Sequence, residues 1–284
     1  MQARKQPTVG LDLAQFTNPN ISVSGRYTSS VSSAVYKFDL IWHLVKRDFS
    51  LRFKRSALGV LWSLVLPLAQ LLVLVFLFNK VVPLKIDDYP AFVFSALLPW
   101  TWFSSCLSAA GGLFVNNRDL VRRPNFEPYI IVIVNTVSNL LIYLVALPIL
   151  FVLLVLDGRV ITSMLIILPV LSLIQGILTV GLGLMIATLN VFYRDVQQIV
   201  SVAVMLLFYM TPVFYSFDSV SENYRIIYTL SPVSILIQSY RSIFFYGSAP
   251  DWELLLVAGI SSLIFYAIGY LIYKRNLHNV IDEI

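Results

Sequence analysis

The chain is predicted to be an all-α polytopic membrane protein. It should have six transmembrane helices, an N-terminal amphipathic helix in the membrane interface, and re-entrant external helices between spans five and six. Three observations lead there. Of 284 residues, 58% are hydrophobic and 12% charged, with mean hydropathy +0.81, outside the range of soluble globular chains. Six uncharged runs follow one another: Leu58–Phe78, Ala91–Asn117, Tyr129–Leu156, Val160–Tyr193, Val196–Phe217 and Leu254–Tyr273. Each meets the roughly 20 residues that a helix needs to cross about 30 Å of hydrocarbon. The runs do not alternate as barrel strands would, and the basic residues collect at their ends.

Taken in order, residues 1–35 are rich in Ser, Asn and Thr and lack the apolar core of a signal peptide, so a mobile cytoplasmic tail is expected. Residues 36–56 are expected to form the interface helix. Phe38, Ile41, Trp42, Val45 and Phe49 fall on one face, and Lys37, Asp39, His43, Lys46, Arg47 and Asp48 between them. That helix is either an anchor or a docking surface. It runs through Arg47, Arg52, Lys54 and Arg55 into the first span. The transmembrane domain, 57–273, has spans at about 58–78, 91–115, 129–156, 160–189, 197–216 and 252–273, with a cytoplasmic tail at 274–284.

Leu98-Pro99-Trp100-Thr101-Trp102-Phe103 is expected to form an interfacial aromatic belt, and Ala109-Ala110-Gly111-Gly112 to let another helix approach closely. Residues 116–123 follow, a polar segment ended by Pro124 and Pro128. It reads either as a compact charged helix of two turns that fits a cleft in a soluble subunit, or as a solvated loop. Gly176, Gly183 and Ala187 suggest a packing face on span four. Arg194 and Asp195 are adjacent at the next corner, so they do not face each other. Pro212 is expected to loosen the end of span five. The segment 217–250 is too apolar for a wet loop. Divided by Pro232, it should form two short helices that dip back into the membrane and narrow an exit.

Flanks of one sign of topology hold eleven Lys and Arg against five on the other, which places both termini in the cytoplasm. These charges are explained by lipid head groups rather than nucleic acid. The spans carry no ionisable residue, His43 and His278 are the only histidines, and Cys106 is the only cysteine. That argues against a metal site, a His-based acid–base enzyme and a carboxylate-coupled transporter. No phosphate-cradling Gly-rich Lys-Ser/Thr motif occurs, so any uphill transport would draw its energy from another chain.

The chain resembles the membrane permease of ABC-2 type exporters for polysaccharides and related polymers: O-antigen, capsule and teichoic acid. The likeness covers roughly residues 36–280. It is carried by the basic run into Leu58-Gly59, Trp62 and Pro67; by Leu98-Pro99-Trp100 with Trp102-Phe103; by the stretch from Asn190 to Val196; by Thr211-Pro212-Val213-Phe214-Tyr215; and by Tyr240-Arg241 after Ser231-Pro232. Two positions depart from the family pattern. Ser231-Pro232 stands for the frequent Asn-Pro, and Phe126-Glu127-Pro128-Tyr129 for Phe-Pro then Leu-Pro. The resemblance implies a homodimer in the inner or plasma membrane with two copies of a separate ATP-binding subunit. ATP and Mg belong to that subunit, and no cofactor is expected on this chain. The implied substrate is a lipid-linked glycan. An ABC-2 permease for a small amphiphile is the alternative, and a channel or membrane-bound transferase a remote one.

Residue roles follow as expectations. Arg47, Arg52, Lys54 and Arg55 sit where a lipid phosphate arrives, although topology alone also explains them. Phe76, Phe78, Phe103, Phe208, Tyr209, Phe214 and Tyr215 are candidates for lining the channel, where aromatic faces hold sugars weakly. Asn117, Arg118, Asp119, Arg122 and Arg123, with Arg194 and Asp195, are expected to couple to the ATPase. Tyr224, Tyr228, Pro232, Tyr240 and Arg241 are expected at the external gate.

Overall fold

The computed structural model describes residues 29–54, 59–160 and 162–284, and among these every regular element is helical. The chain divides into two units, Met1–Leu40 and Ile41–Ile284. Of the first, the described part is the start of α1 (Ser29–Phe53), on which Val35, Tyr36 and Phe38 are exposed. The helix begins upstream of the expected boundary at residue 36. Residues 1–28 of the tail expected over 1–35, and the role expected of Arg55, lie outside the described residues.

In the second unit, five helical stretches are long and apolar enough to cross a membrane: Trp62–Val81, Tyr89–Ala110, Tyr129–Leu156, Ser163–Phe192 and Trp252–Glu283. The first is α2 (Trp62–Phe76) with a π-turn at its end, and the next are α3 (Tyr89–Ala110) and α6 (Tyr129–Leu156). Between α3 and α6 lie two single turns, α4 (Leu113–Asn116) and α5 (Arg118–Val121). A 3₁₀ turn leads into α7 (Leu168–Phe192), and α11 (Trp252–Glu283) closes the chain. The sixth apolar helix, α8 (Val196–Met210), has 15 residues and so spans about 22 Å. The expected fifth span, 197–216, is therefore helical only to Met210. Thr211 precedes a proline and is pushed to extended backbone (φ −90°, ψ 136°), which ends the helix.

α3 is the centre of the bundle and packs on α2, α6, α7, α8 and α10. This corrects the expected aromatic belt. Trp100 and Trp102 are 4% and 2% exposed, in the middle of α3. The helix starts early, with Asp88 in the left-handed region (φ 52°) before it and Pro90 in its first turn, so Pro99 and both tryptophans fall deep inside. Trp102 Nε1 donates to the Thr136 carbonyl of α6 at 3.1 Å, which gives the buried indole a partner.

The most extensive helix pair is α7 with α11. Their backbones touch at Gly181 and Gly269: a Cβ on Gly269 would overlap the Gly181 carbonyl, and one on Gly181 would strike the Tyr266 backbone. Of the expected packing face of Gly176, Gly183 and Ala187, Ala187 is fully buried in a core shared with Tyr273 of α11. Gly176 faces open space, and Gly183 meets Val132 of α6. Gly269→Val is expected to abolish accumulation of folded protein in the membrane, as read by size-exclusion profile, whereas Gly176→Val leaves it unchanged.

Residues 217–250 hold two short helices, α9 (Glu222–Leu230) and α10 (Pro232–Arg241). Ser231 caps α10, accepting from the Ser234 amide at 3.4 Å, with Pro232 in the first turn. Serine and asparagine are equivalent N-caps, so the departure from Asn-Pro keeps the same start. α10 is largely buried, while α9 exposes Tyr224, Ile226, Ile227 and Leu230. Asp251 caps α11 by accepting from the amides of Glu253 and Leu254. A second, smaller core joins Phe114, Val121, Tyr273 and Val280. Over the stretch 274–284, expected as a cytoplasmic tail, α11 continues to Glu283, and Val280 is fully buried.

Candidate functional site

Two polar constellations stand at opposite ends of the bundle. At the basic end, the last turn of α1 is locked to α6. Arg52 Nη1 donates to Asn139 Oδ1 at 3.1 Å and Nη2 to Asn135 Oδ1 at 3.3 Å, while Nε lies 2.9 Å from Asp48 Oδ2. Asn135 and Asn139 are 4% and 6% exposed, one turn apart on a helix that has no other amide side chain and no charged one. Asn139 Nδ2 donates back to the Asn135 carbonyl at 2.8 Å, and Asn135 Nδ2 donates to the Cys106 carbonyl of α3 at 3.2 Å. The guanidinium is spent on protein partners. Arg47 and Lys54 remain exposed, with Arg47 lining a cavity of about 430 Å³ shared with Arg52, Asn116, Asn190 and Gln197.

The floor of that cavity stitches the α7–α8 corner to the end of α3. Asn190 Nδ2 donates to the Gly111 carbonyl at 2.9 Å and its Oδ1 accepts from the Gln197 amide at 3.0 Å. Gln197 Nε2 donates to the Ser108 carbonyl at 2.7 Å. A side chain on Gly111 would overlap Gln197, so the small residues expected at 109–112 do permit close approach, here of a polar corner. Arg194 and Asp195 are exposed on that corner.

Where a helix of two turns was one reading of 116–123, the structure has α4, a break at Asn117, and the four-residue α5. Asn117 Nδ2 donates to the Leu113 carbonyl at 2.9 Å and ties the two turns together. Arg118, Asp119, Arg122 and Arg123 are exposed, and Val121 is buried beneath them.

At the opposite end, the unwound stretch after α8 is held by two side chains. Arg241, 3% exposed, donates through Nη2 to the Val213 carbonyl at 2.7 Å and through Nη1 to the Tyr215 carbonyl at 3.3 Å. Tyr89 OH donates to the Phe214 carbonyl at 2.9 Å. Three successive carbonyls of the stretch that leaves the helix thereby gain partners, as buried backbone acceptors require. Arg241 also stacks over Phe92 at 3.9 Å, Phe92 meets Phe245 edge to face at 5.3 Å, and Arg159 stacks over Phe245 at 3.6 Å. Arg159 closes this ladder by pairing with Asp88 at 2.8 Å and donating to the Phe245 carbonyl at 3.0 Å. Asp157 stands in the same turn; burial first and the Asp88 charge second push its carboxyl above the usual range, and Arg159 opposes them. Tyr228 shares a 3.0 Å hydroxyl bond with Tyr215, Tyr240 is fully buried, and Tyr224 is exposed.

The expected aromatics separate into groups. Phe76 and Tyr209 are 64% and 61% exposed, on α2 and α8. Phe78, Phe208, Phe214 and Tyr215 are partly buried in one cluster, with Phe78 stacked on Phe214 at 5.4 Å. Phe103 is corrected to a core position: it is 2% exposed and packs against Trp100. Sequence reasoning missed Asn135, Asn139, Asn190 and Gln197 because it sought ionisable groups. Paired amides one turn apart in an apolar run were the available signal.

Residues 39–245 match the family model described as ABC-2 type transporter. The chain is 31% identical over 241 residues to the O-antigen export system permease protein RfbA of Klebsiella pneumoniae, covering 84% of this chain and 93% of that one. It is 33% identical over 239 residues to the protein of the same description from Myxococcus xanthus, covering 83% and 92%. It is 23% identical over 235 residues to the polysialic acid transport protein KpsM of Escherichia coli, covering 81% and 91%. The chain belongs to the ABC-2 type transporter family of membrane proteins.

Proposed function

We propose that the chain is the membrane permease of an ATP-driven exporter that moves a lipid-linked polysaccharide, such as an O-antigen, capsule or teichoic-acid polymer, outward across the inner or plasma membrane. The carrying observation is the likeness to O-antigen export permeases, which extends over 84% of this chain and nearly the whole of the relative. The permease is a homodimer, and two copies of a separate subunit hydrolyse ATP. This chain is not itself an enzyme and binds no cofactor.

In this reading the bundle crosses the membrane six times, with α8 and the pinned stretch 211–216 together making the fifth crossing, and both termini are cytoplasmic. α1 lies in the cytoplasmic interface. Arg47, with Lys54 and Arg55, meets the phosphate of the lipid carrier, and Arg52 serves as their anchor rather than as a ligand. The exposed faces of α2 and α8, with Phe76 and Tyr209, border the channel that the second copy completes. Asn117, Arg118, Asp119, Arg122 and Arg123 dock in the ATP-hydrolysing subunit, with Arg194 and Asp195 at the neighbouring corner. α9 and α10 form a re-entrant hairpin that gates the outer exit.

Deletion of the gene tests the function. Loss of surface polymer with build-up of lipid-linked glycan on the cytoplasmic leaflet, restored by this chain in trans, is expected. Normal surface polymer with altered sensitivity to drugs or lipids would instead favour a permease for small amphiphiles.

A further inference from the structure

The coupling segment is too short to hold its own shape. α5 has four residues, fewer than a helix needs to be stable by itself, so its geometry comes from what it rests on. Its inner side, Val121 at 1% exposure, is buried in the small core with Phe114 of α4, at 0%, and with Tyr273 and Val280, both on α11. The Phe114 and Tyr273 rings lie 6.2 Å apart, and Tyr129, at the start of α6, meets Tyr273 edge to face at 6.3 Å.

α11 is unusual in what it reaches. Its 32 residues contain no proline and run about 48 Å, longer than the hydrocarbon layer is thick. At its first turns, Leu255 and Ala258 belong to the main core together with Ile235, Leu236 and Tyr240 of α10. Midway, Gly269 rests on the Gly181 carbonyl of α7, a backbone contact with no side chain between to absorb movement. One unbroken rod thus shares a small core with Val121 of the coupling segment at one end, packs on α10 of the external hairpin at the other, and rests on α7 in between.

We infer that α11 carries displacement of the coupling segment across the membrane to the external hairpin, with Val280 and Tyr273 as its grip on that segment. The inference rests on the reading that residues 117–123 engage the ATP-hydrolysing subunit. Closed interiors transmit such shifts because packed contacts yield little. The last turns of α11 are accordingly part of the coupling apparatus and act as positioning residues, touching neither substrate nor nucleotide.

The test uses the full permease with its ATP-hydrolysing subunit in liposomes and a reporter cysteine at the exposed gate residue, Tyr224→Cys; native Cys106 is buried and does not compete. Labelling by a membrane-impermeant maleimide is measured with and without ATP. In the otherwise unaltered chain, ATP is expected to change the labelling rate by about fivefold or more. Val280→Asp should retain the subunit and its ATP hydrolysis yet lose the change, Val280→Ile should restore it, and the exposed neighbour Asn279→Asp should leave it intact. An undiminished response in Val280→Asp would overturn the inference, as would loss of the subunit together with the response, which would make Val280 a mere builder of the docking surface. If Val280→Asp does not accumulate, Val280→Ala decides in its place: a weakened response supports the inference and an unchanged one overturns it. Failure of the unaltered permease to bind the subunit refutes the underlying reading. Binding without any ATP-dependent change at Tyr224→Cys refutes transmission alone.

Discussion

Arg241→Leu is expected to destabilise the detergent-solubilised permease by about 2–4 kcal/mol and to abolish export. Two effects oppose each other. The guanidinium is buried with no carboxylate bonded to it, and its Nε has no partner among the described residues, so removing the charge relieves a desolvation penalty. Against that, the Val213 and Tyr215 carbonyls lose their donors, at about 1–3 kcal/mol for each buried acceptor left bare. Loss of the stacking on Phe92 adds about 1–2 kcal/mol. The carbonyls decide the sign, because Pro212 denies that stretch the helical alternative. Arg241→Lys keeps the charge but cannot fork to two carbonyls, and should fall between. Tyr89→Phe removes a single bond and should cost about 1 kcal/mol. Thermal unfolding of the three variants checks the order. A leucine variant that melts with the unaltered protein and still exports would show that the unwound stretch is held by something else.

Five of the six expected spans were legible because hydrocarbon thickness imposes a length that no soluble core imposes, and those apolar runs meet it. Pro212 was legible as a weak point, and Pro232 as the divider of two short helices, since proline acts locally whatever surrounds it. What surrounds it was not legible: nothing local says that Arg241, 28 residues from Val213, supplies the missing donor. Composition gave Trp100 and Trp102 the look of an interfacial belt. Their burial follows from where α3 begins, which depends on Asp88 and Pro90 and on the neighbours that α3 acquires. The same holds for the glycines. Spacing pointed to Gly176, Gly183 and Ala187, and only the position of α11 selects Gly181 for the closest contact. At the basic end, four cations looked equivalent along the chain. They differ because Asn135 and Asn139, more than eighty residues away, take one of them out of service.

That difference separates anchoring from capture, and Arg52→Leu against Arg47→Leu reads it out. Arg52→Leu leaves Asn139 Oδ1 without its donor and Asp48 without its cation. The ion pair is about one-third exposed on both sides and contributes little once screened, so most of the loss falls on the buried amide. The expected destabilisation is about 1–3 kcal/mol, with export falling in step with the amount of folded protein. Arg52→Lys should recover part of it, since an ammonium reaches one amide oxygen but not both at once. Arg47 is exposed at the mouth of the polar cavity, and Arg47→Leu should shift the melting temperature by an amount equivalent to about 0.5 kcal/mol or less. Its effect should instead appear in transport by reconstituted complexes: slower export at low lipid-linked substrate, recovering at saturation, because a binding contact common to ground and transition states acts on KM. Export by Arg47→Leu that is normal at every substrate concentration removes the phosphate role from this residue. A fully stable Arg52→Leu removes the anchor. The two results are independent, since no bond joins the two guanidinium groups and each variant is read on its own axis, one on melting and the other on substrate dependence.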